Sequence, residues 1–113
     1  MASTRDTRTV MIVDSEPAQQ RFLSALVSRG GWRSIVAGDT DTALAKLGTQ
    51  EGMALDAVLV DQGTPGMDIA EFVAELRRWR PALPLIVIGA VGMLVCGPLM
   101  LRWFIASMRE RGR

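Results

Sequence analysis

Two aspartates that each follow a short apolar run are the residues best placed to do chemistry. Asp14 closes the segment TVMIVD, and Asp61 closes DAVLVD. Two carboxylates at one site repel each other, which raises the pKa of one of them or recruits a cation. Oxygen ligands of this kind suit Mg²⁺. If the fold brings Asp14 and Asp61 together, we therefore expect a cation site or a reactive carboxylate.

The composition excludes several other kinds of site. The chain has no histidine and a single cysteine, Cys96. A histidine metal site, a Ser-His-Asp triad, a phosphate-carrying histidine and an internal disulfide are therefore all excluded. The net charge is +1, so we expect no nucleic-acid partner. The 113 residues suit one compact domain, and a hydrophobic fraction of 49% argues against disorder.

Short β-branched runs alternate with segments of helical periodicity after a polar tail at residues 1–8. Apolar runs and turn formers predict four strands, at Val10–Val13, Ser34–Ala37, Leu55–Val60 and within LPLIVI. Three helices are predicted between them: one from Pro17 to the Gly30–Gly31 pair, one capped by Asp39 or Thr40 and ending at Gly48, and one capped by Asp68. Their predicted inner faces are Ala18, Phe22, Ala25 and Leu26; Ala43, Leu44 and Leu47; and Ile69, Phe72, Val73 and Leu76.

The alternation of strands and helices predicts an α/β fold, with a parallel sheet and helices on both faces. Ligands bind such sheets at the carboxyl ends of the strands. If the strand order is 2-1-3-4-5, the first and third strands are neighbours. Asp14 and Asp61 should then converge on one surface pocket.

Three segments resemble the receiver domain of bacterial two-component response regulators. They are TVMIVDSEP, DAVLVDQGTPGMD and ALPLIVIGA, in the family's order, and the resemblance covers about residues 9–90. It implies a flavodoxin-like, doubly wound sheet in which Asp61 takes a phosphoryl group from a kinase histidine, with Mg²⁺ held by Asp14 and Asp61. The charged N-terminus MASTRDTRTV has no apolar secretory region, so we expect a cytoplasmic protein, and we expect it not to be an enzyme. Its partners would be a histidine kinase or phosphotransfer protein and a downstream output protein.

Each acidic residue also has a plainer interpretation. A carboxylate at a strand end is often a helix cap or a turn former. We interpret Asp68 as a cap. Glu16 is either a first-turn helix charge or a substitute metal ligand.

The sequence departs from the receiver pattern at four places. Ser15 stands where the family has a second acidic residue, and Gly89 stands where it has a hydroxyl residue. Gly97–Pro98 replaces its lysine–proline pair, and Leu94 replaces its aromatic switch residue. Each lost charged contact is worth about 2–4 kcal/mol of phosphoryl stabilisation. We therefore expect weak Mg²⁺ binding, weak or no phosphorylation of Asp61, and impaired switching.

Residues 91–113 diverge from the family altogether. Only about five residues, Gly89 to Met93, separate Ile88 from the next apolar run, whereas a parallel crossover needs about ten to twelve residues. Four alternatives remain open: an antiparallel edge strand, a segment swapped into a second copy, a membrane helix over 81–101, and a frameshifted tail. A last helix from Leu99 to Glu110 is apolar almost all round and predicts an added partner, such as a second copy.

The function predicted from the sequence is that of an atypical, single-domain receiver, spanning residues 9–113, whose output is carried by a partner. A phosphorylation-independent interaction module with a receiver-like shape is the second hypothesis. A fragment tethered to the inner membrane is the third.

Overall fold

A computed structural model describes residues 7–89, which form four strands and four helices in alternation. The predicted order of strands and helices is confirmed, and one extra short helix, α3, follows α2. The elements are β1 (Arg8–Val13), α1 (Pro17–Arg29), β2 (Trp32–Ala37), α2 (Thr40–Leu47), α3 (Gln50–Met53), β3 (Ala57–Asp61), α4 (Ile69–Trp79) and β4 (Leu85–Ile88).

The strands form one parallel sheet in the order β2-β1-β3-β4. Val13 of β1 is opposite Val60 of β3, and Asp61 is opposite Ile88 of β4. The predicted neighbouring of the first and third strands is therefore confirmed. The predicted fifth strand and last helix lie outside the described residues.

Side chains and proline mark the predicted helix starts. Asp39 accepts a hydrogen bond from the Thr42 main-chain N–H at 2.6 Å, and Asp68 accepts one from the Ala70 N–H at 3.2 Å. These bonds satisfy first-turn donors that have no partner within the helix. Pro17 occupies the first helical position of α1. Asp68 is therefore a helix cap, as predicted.

The core is divided by the sheet into two layers. On one face, α1 packs over side chains from all four strands, and its buried residues are Leu23 and Val27. On the other face, α2 and α4 bury Ala43, Leu47, Phe72 and Leu76. Helices on both faces of a parallel sheet are what the strand–helix alternation requires.

The predicted inner face of α1 is wrong. Ala18 and Ala25 are exposed, Leu26 is half-buried, and the Phe22 side chain is 62% exposed. The helix is rotated by about one residue, or 100°. The reason is that Leu23 and Val27 also stand four positions apart and fit the core with their branched side chains.

The alternative of a single membrane helix over residues 81–101 is also wrong. Leu85–Ile88 is a strand paired with β3. Arg80, which could have anchored such a helix at a membrane surface, instead donates to the main-chain oxygens of Gly52, Met53 and Leu55. Among residues 7–89, no helix combines the length and apolar character needed to cross a membrane.

Candidate carboxylate site

Asp14 lies at the carboxyl end of β1 and is almost completely buried, with 1% of its surface exposed. Its Oδ1 accepts a hydrogen bond from the Glu16 N–H at 2.9 Å. Its Oδ2 is buried and has no hydrogen-bond partner among the described residues. A buried carboxylate oxygen without a donor is costly, so this atom is suited to receive a further ligand.

Asp61 ends the neighbouring strand β3 and is half-buried. Its Oδ2 accepts from the Gly63 N–H at 3.0 Å, and its Oδ1 accepts from Gln19 Nε2 at 3.2 Å. Because β1 and β3 are adjacent and parallel, both carboxylates face the same edge of the sheet. The predicted convergence of Asp14 and Asp61 is what the strand pairing produces.

Burial raises the pKa of Asp14 above its usual range, and the negative charge of Asp61 raises it further. The Glu16 N–H and the Gln19 amide lower the same pKa. The net effect is a raised pKa, so the charged form of Asp14 is less favourable in the folded protein than in water.

The first turn of α1 supplies two amides that the sequence-based prediction missed. Gln19 binds Asp61, and Gln20 Nε2 donates to the main-chain oxygen of Asp14. The short connection between β1 and α1 could have predicted these contacts. A helix that starts so soon after a strand places its first turn over the carboxyl edge of the sheet. Phe22, Glu16, Ala18 and Gln19 line an open groove beside these amides.

The loop after Asp61 is fixed by two threonines. Thr64 is buried, and its Oγ1 donates to the Val13 oxygen at 3.0 Å, which ties the loop to the end of β1. Thr40, at the start of α2, accepts from the Met67 N–H at 2.7 Å. Gly66 crosses Thr40 so closely that a Cβ there would lie 2.3 Å from Thr40 Oγ1. The backbone around Asp61 is therefore held on both sides.

Gly89, where a hydroxyl residue was expected from the receiver pattern, is covered by Gln62. The Gln62 N–H donates to the Ile88 oxygen, and a Cβ on Gly89 would lie 2.9 Å from Gln62 Oε1. The exposed Gln62, which directly follows β3, thus lies over this strand end. Of the other three predicted departures, Ser15 is exposed after β1, and Leu94 and Gly97–Pro98 lie outside the described residues.

The two aspartates fit a magnesium ion by their chemistry. Mg²⁺ commonly binds one or two carboxylates and keeps several waters, and Asp14 Oδ2 is an unpaired buried acceptor. Within residues 7–89 no group of three or more acidic, cysteine or histidine side chains is placed to hold a metal. Glu16 is exposed, and its charge raises the pKa of Asp14 slightly, so its role as a ligand stays a prediction.

In its sequence, the chain is similar to two transcriptional regulatory proteins. The KDP operon transcriptional regulatory protein KdpE of Escherichia coli is 35% identical over 81 residues, which cover 72% of this chain and 34% of that protein. The transcriptional regulatory protein TcrA of Mycobacterium tuberculosis is 32% identical over 91 residues, covering 78% and 35%. The chain thus spans about a third of the length of these relatives. No family model matches the chain.

Solved structures show the same fold at low sequence identity. A CheY-like response regulator receiver domain from Methanospirillum hungatei has a TM-score of 0.72 at 19% identity, covering 93% of this chain and 96% of that one. The receiver domain of Francisella response regulator 1452 has a TM-score of 0.70 at 18% identity, covering 95% and 100%. The parallel sheet, the aspartates at the ends of β1 and β3 and these similarities agree. The chain is similar over 72% to 78% of its length to these transcriptional regulatory proteins, and it has the α/β fold of CheY-like receiver domains.

Proposed function

We propose that this chain is an atypical receiver of a two-component phosphorelay, in which Asp61 is a weak phosphoryl acceptor. The observation that supports the proposal is the pairing of Asp61 with the buried, incompletely bonded Asp14 at one edge of the sheet. An Asp61 carboxylate oxygen would form a bond to phosphorus while the bond from phosphorus to the donor breaks. Asp14 and Asp61 would hold Mg²⁺, which offsets the negative charge of the incoming group.

Impaired switching is the second part of the proposal. Gly89 carries no hydroxyl to bond a phosphoryl oxygen, and Gln62 fills the adjacent space. The loop that carries Asp61 is bonded to Val13 and Thr40, which opposes rearrangement. A phosphoryl group on Asp61 would therefore gain few new contacts, and only differential contacts can shift a conformational equilibrium.

Labelling with radioactive acetyl phosphate tests the proposal. With Mg²⁺ present, we expect low, short-lived labelling of the wild-type protein and none of Asp61→Asn. Asp68→Asn is the matched control, because Asp68 is an exposed helix cap and Asn caps helices as well as Asp does. Robust, stable labelling would contradict impaired acceptance. Complete absence of label under all conditions would favour the second candidate function.

That second candidate is an interaction module that works without phosphorylation. The exposed Phe22, in the groove beside Gln19, favours it, because a large exposed aromatic ring is typical of contact surfaces. If partner binding is unchanged in Asp61→Asn and lost in Phe22→Ala, the module function is supported over the phosphorelay function.

The partners of the phosphorelay function would be a histidine kinase or phosphotransfer protein, an output protein and a second copy bound through residues 91–113. We propose a cytoplasmic location and no catalytic activity towards a separate substrate. Light scattering after size-exclusion chromatography, with and without Mg²⁺ and acetyl phosphate, tests the second copy. A monomer mass under every condition would contradict it.

A further inference from the structure

The charge at the carboxylate site is not balanced by any basic side chain among residues 7–89. Within that range the one ion pair joins Arg78 to Glu75 on the surface of α4. Neither an arginine nor a lysine of the described part donates to Asp14 or Asp61. Among the described residues, only neutral hydrogen-bond donors contact the two carboxylates and can reduce the repulsion between them.

Gln19 is the group placed to do so. Its Nε2 donates to Asp61 Oδ1 at 3.2 Å. A glutamine amide carries two N–H donors and no charge. It therefore stabilises the charge of Asp61 without adding the desolvation cost of a buried cation.

We propose that Gln19 is a resident competitor of the divalent cation at the Asp14–Asp61 site. The amide takes up one of the two lone pairs of Asp61 Oδ1, so a cation that approaches from the side of α1 can bind this oxygen only after the Gln19 side chain turns away. Gln19 is half-buried at the edge of the open groove, so its side chain has room to turn outward. Cation affinity at this site is thus set by the first turn of α1 as well as by the two carboxylates.

The inference deepens the proposed function, because it concerns the cation of the same site. It does not depend on phosphorylation, since it predicts an equilibrium of cation binding alone. The nearby amide of Gln20 does not take part in the competition, because it donates to the main-chain oxygen of Asp14 and not to a carboxylate.

Magnesium titration calorimetry at pH 7 and fixed ionic strength tests the competition with the full chain. Gln19→Met keeps the length of the side chain and removes the donor. We expect its Mg²⁺ affinity to rise about tenfold, the factor for losing a competing hydrogen bond to a charged group. Gln50→Met is the matched control, an exposed glutamine in α3 whose loss should leave the affinity unchanged.

Unchanged or weaker binding by Gln19→Met would overturn the inference, because weaker binding would make Gln19 a ligand. If Gln19→Met does not fold, Gln19→Ala can be titrated with Mg²⁺ instead. We expect the same increase in Mg²⁺ affinity for this variant. Acetyl-phosphate labelling of the same variants separates the two proposals. Tighter Mg²⁺ binding without labelling contradicts the phosphoacceptor function alone, and labelling without tighter binding contradicts the competition alone.

Discussion

Gln62 and Gly89 share one space at the carboxyl edge of the sheet. The Gln62 carboxamide lies over Gly89, so a Cβ at residue 89 would be 2.9 Å from Gln62 Oε1 and 3.2 Å from Gln62 Cβ. A side chain at residue 89 therefore requires the exposed Gln62 side chain to turn away.

Gly89→Ser should consequently depend on the residue at position 62. We expect the substitution to be less favourable to folding in the wild-type background than in Gln62→Ala, by about 1 kcal/mol, because the serine side chain then meets no carboxamide. Urea unfolding of the two single variants and the double variant measures this coupling. Additive effects would show that the contact does not constrain residue 89.

Gly66→Ala should destabilise the protein markedly. Gly66 has φ = +111°, and a Cβ there would lie 2.3 Å from Thr40 Oγ1, so both the backbone and the Thr40–Met67 bond are disturbed. We expect a loss of about 2 kcal/mol or more in the free energy of unfolding. Gly38→Ala is the matched control, since a Cβ there meets nothing within 4 Å. If Gly66→Ala lost as little free energy of unfolding as Gly38→Ala, the close approach of Gly66 to Thr40 would be contradicted.

Asp14→Asn should stabilise the protein at neutral pH in the absence of divalent cations. The folded-state pKa of Asp14 is raised, so the folded state binds its proton more tightly than the unfolded state does. The associated stability is complete below the unfolded pKa of about 3.9 and is lost as the pH rises through the folded value. Asparagine is neutral at every pH and keeps the acceptor for the Glu16 N–H. We expect a gain of about 1 kcal/mol at pH 7.

The pH profile is the decisive part of that measurement. Urea unfolding with chelator present should show the gain of Asp14→Asn shrinking steadily as the pH falls towards 4. A gain that does not change with pH would mean that the charge of Asp14 is not the cause. Added Mg²⁺ should also reduce the difference, since it stabilises only the protein that carries the carboxylate.

Adjacent residues of α1 should respond very differently to truncation. Leu23 is buried under the sheet, whereas Phe22 is 62% exposed. We expect Leu23→Ala to lower the free energy of unfolding by about 2–4 kcal/mol and Phe22→Ala by less than about 0.5 kcal/mol. Thermal or urea unfolding distinguishes them. If both variants lost the same free energy of unfolding, Phe22 would lie on the core-facing side of α1, as its helical spacing predicts.

The sequence alone was sufficient for those features that depend on local chemistry. Pro17, Asp39 and Asp68 mark helix starts through backbone restriction and capping, and β-branched runs mark buried strands. The order of strands and helices then determines a parallel sheet, which places Asp14 and Asp61 at one edge. The central pair of the site could therefore be predicted from the order of the elements and the residues that end two of the strands.

Tertiary structure alone decided which side chains surround that pair. Periodicity could not separate the Phe22 face of α1 from the Leu23 face, because both repeat at helical spacing and only packing against the sheet distinguishes them. The contacts of Gln19 with Asp61 and of Gln62 with Gly89 join residues far apart in the chain. Such contacts depend on how helices and loops sit on the sheet, a property of packing that short sequence patterns do not encode.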